Sequence, residues 1–321
     1  MTGSSTVGRL SQLDKPTLAK LQAGCNFINA EVGRVRGRIM IVAAVVLVLG
    51  VVVYGMMWNN GVRDPRVPLL GGIGIIAAYA MWEHRKLSRT YKHIVVRRVV
   101  NALGQGLTYS AESRFTKQDF LDMDLFNLRV EQWRAEDEIC GRRNAVTYSI
   151  LEAKATRTEG SGKNRRTVTI FKGVIVRLDF NKYFQGHTVV VPNSESQILG
   201  GLFGESSSRG RKELCRMENV EFEDAYSVYS TDQQEARYIL TPKLMELVMR
   251  ARLRLNSGLR MSFHDNSVFV TLPDRGDRFE LKLFGGPVTP ESTVGELCEV
   301  VQLAEDLVEA LDLETRIWTR V

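Results

Sequence analysis

The chain has 321 residues, 44% hydrophobic and 25% charged, with a formal net charge of +6. This composition excludes disorder throughout and leaves room for one or two domains of ordinary size beside a membrane segment. The four cysteines (Cys25, Cys140, Cys215, Cys298) form no CxxC and no Cys/His cluster, so no zinc site, redox motif or bound cofactor is expected, and unpaired thiols fit a reducing cytoplasm.

Residues 1–15 read as a disordered tail. A helix is expected from Pro16 onward, because Leu18, Leu21, Cys25, Ile28, Val32 and Val35 alternate steps of three and four, the spacing of a heptad seam. The seam is too short to argue for a free coiled coil. It has two outlets: self-association into a homo-oligomer, or packing within the chain against a second helix, residues 84–103, with Leu87, Tyr91, Ile94, Val95 and Val99 apolar.

Between these helical stretches lie two uncharged apolar runs, residues 39–58 (IMIVAAVVLVLGVVVYGMMW) and 67–82 (VPLLGGIGIIAAYAMW). A spanning helix needs about 20 apolar residues. The first run meets that length; the second is short unless part of a turn from residue 65 is added. Trp58 and Trp82 close the two runs, where indole rings are favoured at an interface. Gly71, Gly74 and Ala78 are the small residues expected to let the two helices approach. The reading is a two-helix transmembrane hairpin, about 39–58 and 65–82, inside a helical segment 16–103.

Basic residues set the orientation. Arg34, Arg36 and Arg38 precede the first run; Arg85, Lys86, Arg89, Lys92, Arg97 and Arg98 follow the second. The connecting loop is less basic, so both termini are expected in the cytoplasm. A cleaved signal peptide does not fit, since the first run starts late, is too long and is followed by another. The lipid bilayer is therefore the expected partner, and the basic excess is assigned to positive-inside topology and anionic lipid. Nucleic acid is the weaker reading, because no basic helix-turn-helix or interleaved basic-aromatic motif is present.

Gly104-Gln105-Gly106 marks a boundary, after which residues 107–321 read as a cytosolic α+β domain on a mostly antiparallel sheet with flanking helices. A short helix is expected over 116–127 with Thr116 as N-cap. Strands are expected over 145–155 and 167–178 around a tip at 159–164, then over 188–191. Residues 200–210 (GGLFGESSSRG) read as a surface loop. Thr241 and Pro242 open a helix over 241–255. Residues 259–263 and 268–272 read as a hairpin around His264-Asp265-Asn266, and 278–284 as a further strand. Thr293 and Glu296 read as the capping box of a final helix.

Chemistry-bearing patterns are few. The tip EGSGKN at 159–164 fails as a phosphate loop, since Arg157 stands where the first glycine belongs and Asn164 follows the lysine. Glu136-Asp137-Glu138 could gather a cation through at most two carboxylates, and pairing with Arg142 and Arg143 is the plainer reading. His84, His93, His187 and His264 stand alone in sequence, and no nucleophile elbow, HExxH or GxGxxG is present. Lys163, Arg165 and Arg166 make the hairpin tip basic. Together with Arg85, Lys86, Arg89 and Lys92 they form the candidate membrane-surface contact. No catalytic, cofactor-binding or metal-binding residue is assigned.

Several stretches carry a resemblance: FKG at 171–173, DFNK at 179–182, GHTVVVP at 186–192, MENVEF at 217–222, VYSTDQQEARYILTP at 228–242 and SFHDNSVFVTLP at 262–273. Leu125-Phe126-Asn127 and the stretch from Glu136-Asp137 to Gly141 add to it. Over roughly residues 110–285 the chain resembles a family of bacterial membrane proteins known as "domain of unknown function 3137". The resemblance implies a paired-helix membrane segment ahead of a cytosolic domain. Cys140-Gly141-Arg142-Arg143 is more basic than the family pattern, and no activity is implied. The chain is expected to be an inner-membrane protein whose cytosolic domain binds a partner as scaffold or sensor. The alternatives are a membrane-tethered enzyme with an acidic site at Glu136/Asp137 or Asp179/Asp232, and an anionic-lipid-binding module.

Overall fold

The computed structural model describes residues 15–61, 64–104, 106–126, 128–195, 211–255, 258–274 and 279–315. The chain divides into two compact units, Met1–Ala102 with Phe279–Glu296, and Leu103–Arg278 with Leu297–Val321.

The first unit is helical. Helix α1 (Lys15–Asn59) is one uninterrupted helix of 45 residues, and α2 (Arg66–Tyr91) has 26. A π-helical turn (Lys92–Val96) leads into α3 (Arg97–Leu103). That turn adds a residue to the helical repeat, and Val95, Val96, Val99 and Val100 are all buried around it. On α1 the seam is buried from Leu21 through Cys25, Ile28, Val32 and Val35 to Ile39. It is filled from within the chain: a side chain at Gly24 would meet Ile94 and Val95. The homo-oligomeric reading of the seam from Leu18 to Val35 is thereby corrected. Cys25 and Ile28 have no exposed surface left to offer a second copy, and only Leu18 lies open. Seven residues past Ile39, the half-buried Val46, then Gly50 and Tyr54 at steps of four, carry the same face into the apolar run.

The small-residue face of α2 differs from expectation. Gly71 and Gly74 look into open space and Ala78 is exposed, while Gly72 is the glycine whose added Cβ would lie 3.0 Å from Val46 Cγ1. The shift is one helical position, which short apolar runs rich in glycine leave undetermined.

Residues 279–288 also belong to this unit. Phe279, Leu281 and Leu283 alternate with Glu280, Lys282 and Phe284, and the first three are buried. The alternation suggested a strand, but these residues pair with no strand. They run along the helices, held by side chains: Asn29 exchanges two hydrogen bonds with the Val288 backbone (2.8 and 2.9 Å), and Arg36 donates to the carbonyls of Leu283 and Gly285 (2.8 and 3.0 Å). His84 Nε2 lies 2.8 Å from the Leu281 carbonyl and so donates to it, and Glu280 receives Ser88 and Lys92. Helix α8 (Pro290–Thr315) starts here, and its residues from Leu297 count with the second unit. It begins a turn earlier than Thr293. Thr289 accepts from the Ser292 amide at 3.2 Å with Pro290 in the first helical position, and the Thr293 hydroxyl instead donates back to the Thr289 carbonyl. The side chain of Glu296 lies outside the described set.

The second unit is a seven-stranded antiparallel sheet with helices, an α+β fold. In chain order come β1 (Thr108–Glu112), α4 (Lys117–Asp122), β2 (Gln132–Arg143), β3 (Val146–Glu159), β4 (Arg166–Pro192), β5 (Glu213–Cys215), α5 (Val220–Ala225), β6 (Tyr226–Ser230), α6 (Gln233–Ile239), α7 (Pro242–Leu255), β7 (Arg260–Pro273) and the body of α8. The path runs β1-β2-β3-β4-β6-β5, with β7 pairing β4. The 27-residue β4 organises the sheet: Arg166–Asp179 pairs β3, Thr188–Pro192 pairs β6, and β7 pairs it from Gly173 to Val190.

Two expectations change here. Residues 188–191 are the end of β4 rather than a separate strand. The expected hairpin at His264-Asp265-Asn266 is a single strand, β7, that runs through; Asp265 takes φ +52° and sits opposite Phe184 where the β4–β7 register slips. A bulge absorbs there what a turn would have done. The expected loop at 200–210 lies outside the described residues.

One face of the sheet is closed by α4 and the segment after it. Thr116 and Asp119 form its capping box. The Phe120 ring meets those of Phe126, Trp133 and Phe171 at centroid distances of 4.9, 4.7 and 6.0 Å, Phe126 meets Phe171 at 5.3 Å, and the Arg260 guanidinium lies 4.3 Å above Phe126. Helix α7 starts at the Thr241 cap and buries Leu244, Met245, Val248 and Ala251.

Candidate functional site

Among the described residues, α1 and α2 expose a long succession of large apolar side chains. Across the apolar part of α1, an 18-residue window has mean hydropathy 2.8, and 6% of it is buried within the protein. Met40, Ile41, Leu47, Val48, Leu49 and Val51 all stand open. By length and composition α1 is the helix among the described residues that can cross a membrane. The run on α2 is also uncharged and open at Val67, Leu70, Ile73 and Ile75, though shorter. A cavity of about 420 Å³ lies between the two helices, walled by Val46, Gly50, Tyr54, Pro68 and Gly72 among others.

Aromatic and basic groups mark the ends of this surface. Tyr54 and Trp58 pair edge to face at 6.1 Å at one end. Tyr79 and Trp82 pair at 6.0 Å at the other, where the Lys86 ammonium lies 5.7 Å from the Trp82 ring. Arg34, Arg38, Arg85, Lys86 and Arg89 are exposed beside that second end. Lys92 does not belong with them: its side chain is buried and its ammonium pairs with Glu280 at 3.1 Å, because the π-turn rotates it inward. Arg165 and Arg166 are exposed at the β3–β4 tip, and Arg166 pairs with Glu159 at 2.9 Å. Hydrogen bonds from Arg166 and then Arg157 hold the Glu159 carboxyl below its ordinary range. The Lys163 side chain lies outside the described set.

Inside the second unit a buried polar cluster appears that sequence spacing did not suggest. Asp124, just after α4, accepts from Lys212 Nζ at 2.6 Å and lies 3.6 Å from His187 Nδ1. His187 Nε2 is 3.0 Å from Ser262 Oγ, and its ring meets that of His264 at 5.0 Å. His264 in turn contacts Asp265 at 3.1 Å and stacks on Phe269. The two histidines read as isolated are thus neighbours, brought together by adjacent strands. Asp124, His187 and Ser262 fall in the order of a hydrolytic triad, but Ser262 has no exposed surface and the 3.6 Å separation exceeds a hydrogen bond. No substrate carbonyl reaches a hydroxyl so placed. The cluster ties β4, β7 and the segment before β5 together. Beside it, Glu235 accepts from the amides of Gln185 and Gly186 (2.8 and 2.6 Å) and holds the β4 bulge.

The acidic residues also separate into individual roles. The register slip between Glu136 and Ile139, with Asp137 at φ +58°, turns Asp137 fully inward, where it accepts from the Tyr109 hydroxyl. Burial, then the Asp137 charge, pushes the Tyr109 hydroxyl well above its ordinary value. Glu136 pairs with Arg134, and Glu138 accepts from the Arg114 amide. Asp179 accepts from Arg177 and Ser267, while Asp232 caps α6. Among the described residues no three His, Cys, Asp or Glu side chains are placed to hold a metal ion. A groove of about 430 Å³ between α7 and α8 is lined by Lys243, Arg250 and Arg254 on one wall and Glu299, Asp306 and Glu309 on the other.

No curated protein matches the chain. Among solved structures, the crystal structure of the mycobacterial trehalose monomycolate transport factor A, TtfA, matches at 15% identity and a TM-score of 0.36, covering 71% of this chain and 97% of that one. At that score the likeness carries no argument. The family comparison covers residues 169–313; it overlaps the resemblance over roughly 110–285 from residue 169 onward, leaves the part before 169 outside, and extends into α8. Over this segment the chain carries the domain described as "Protein of unknown function (DUF3137)".

Proposed function

We propose that the chain is an integral protein of a bacterial inner membrane, crossing twice through residues 39–58 and 65–82. Both termini and the α+β domain then lie in the cytosol, where the domain serves as a binding scaffold or sensor for a protein partner. The observation that carries the reading is the uncharged, uncovered surface of α1 beyond Ile39, continued by that of α2. An apolar surface of this extent on a soluble monomer would drive aggregation; in a bilayer of roughly 30 Å it is solvated. The 16 residues of the α2 run supply about 24 Å, a mismatch met by local thinning of the bilayer. Exposed Arg34, Arg38, Arg85, Lys86 and Arg89 at one end support the inside orientation.

The test is a set of topology reporters at the 60–65 turn and at both termini. Cytoplasmic reporters should be active at the termini and silent at the turn. A terminus reporting outside, or release of the full chain by alkaline wash, overturns the topology. Crosslinking and capture from native membranes should enrich one specific protein stoichiometrically, and its absence would overturn the scaffold role.

A further inference from the structure

We infer that residues 279–288 form a collar on the helix pair that places Phe284 in the lipid headgroup layer, as a membrane-surface anchor separate from the two spans. The inference rests on the membrane-spanning reading above.

Phe284 is 77% exposed, an unusual state for a phenylalanine at the tip of a tight turn. The turn is closed by Gly285 N donating to the Lys282 carbonyl at 3.1 Å, which puts Phe284 at its third position. The position is fixed rather than loose. Arg36 donates to the carbonyls on both sides of Phe284, those of Leu283 and Gly285, and buried Leu281 and Leu283 seat the segment on the helices.

The height is what assigns the partner. Arg36 precedes Ile39 by three residues, about 4.5 Å of helix rise, and exposed Met40 and Ile41 follow at once. On α2 the segment is held by His84, two residues past the interfacial Trp82. The turn carrying Phe284 is thus held near the level where the apolar surface starts, by helices that also expose Arg38, Arg85 and Lys86, and exposed Lys282 lies on the turn itself. An aromatic ring among cations at that depth suits the headgroup layer of an anionic bilayer.

The test puts the photo-crosslinker p-benzoylphenylalanine in place of Phe284, in the otherwise unchanged full chain, in vesicles of phosphatidylethanolamine and phosphatidylglycerol. The same residue in place of Leu47 reports the span, and in place of Leu253, exposed on α7, it reports background. Lipid adducts at 47 and 284, each several-fold above 253, support the inference. Adducts at 47 with none above background at 284 overturn the collar and leave the spans standing. No adduct at 47 overturns the membrane reading and the collar with it. Replacing Phe284→Asp, which removes little buried surface, should leave thermal unfolding nearly unchanged; a large loss of stability would show a packing role and overturn the anchor.

Discussion

The Arg38 guanidinium lies 2.9 Å from the Glu83 carboxylate, joining α1 to α2 where one apolar run begins and the other ends. Glu83 is almost wholly buried and also accepts from the Tyr79 hydroxyl, whereas the Arg38 side chain is 46% exposed. The two ends of the pair are therefore unequal. Arg38→Ala strands a buried carboxylate and is expected to lower stability by about 3 kcal/mol. Glu83→Gln keeps an acceptor for both partners and should lower it by about 1 kcal/mol. Thermal unfolding of the full chain in nanodiscs checks the order of the two variants.

Gly173 lies where β4 meets β7 most closely. A Cβ there would stand 2.1 Å from the Leu272 carbonyl and 2.7 Å from the Asp274 amide, both backbone atoms with nowhere to go. Gly173→Ala is expected to cost about 3 kcal/mol or more, the upper range of overpacking. Gly33→Ala, on an exposed turn of α1 with nothing within 4 Å, should instead stabilise by about 0.5–1 kcal/mol. Opposite signs for the same chemical change would be read by denaturant midpoints.

Lys212 and Asp124 form a buried pair whose lysine side chain has no exposed surface. Lys212→Met and Asp124→Asn each remove the opposite charge facing a buried one and should each cost about 3–5 kcal/mol. The double variant should cost clearly less than the sum, because neither charge is then left alone. A double-mutant cycle in urea measures the coupling, and strict additivity would remove the pair from the account of the sheet.

Cys25 is fully buried in the α1 seam, and burial, followed by the nearby Glu291 charge, pushes its thiol from 9.0 to about 11. The folded protein thus favours the protonated thiol. Its contribution to stability is fully present below the unfolded value near 9 and is lost as pH rises through about 11. Iodoacetamide should leave Cys25 unlabelled in the native protein at pH 9 and label it after unfolding. A Cys25→Ala variant should show a shallower fall in stability over pH 9–11.

Local signals were the legible ones. Thr116, Thr241 and the seam from Leu21 to Val35 state their roles within a few residues of chain, and the structure follows them. Strand β2 went unread because the acidic run at 136–138 interrupts its alternation, which the bulge at Asp137 repairs by turning one carboxylate inward. His264-Asp265-Asn266 has turn composition, yet the neighbouring β4 backbone draws it into a strand with one residue at positive φ. The cluster of Asp124, His187, Lys212 and Ser262 had no sequence signal at all, since His187 and Ser262 meet through β4–β7 pairing and Asp124 and Lys212 arrive from segments outside the strands. Residues 279–284 showed the right period for the wrong partner: alternation reports one buried face, and here the covering surface is helical.

Arg36 and Leu283 are 247 residues apart in the chain, and Asn29 and Val288 are 259 apart. Synthesis proceeds from the N-terminus, so α1 and α2 leave the ribosome long before the segment that braces them. For most of its translation the nascent chain holds helices whose Asn29 amide and Arg36 guanidinium have not yet met the backbone groups they bind in the folded unit. Bracing therefore waits on residue 288, and a chain that stops short of it would keep α1 and α2 without the hydrogen bonds that tie them to this segment.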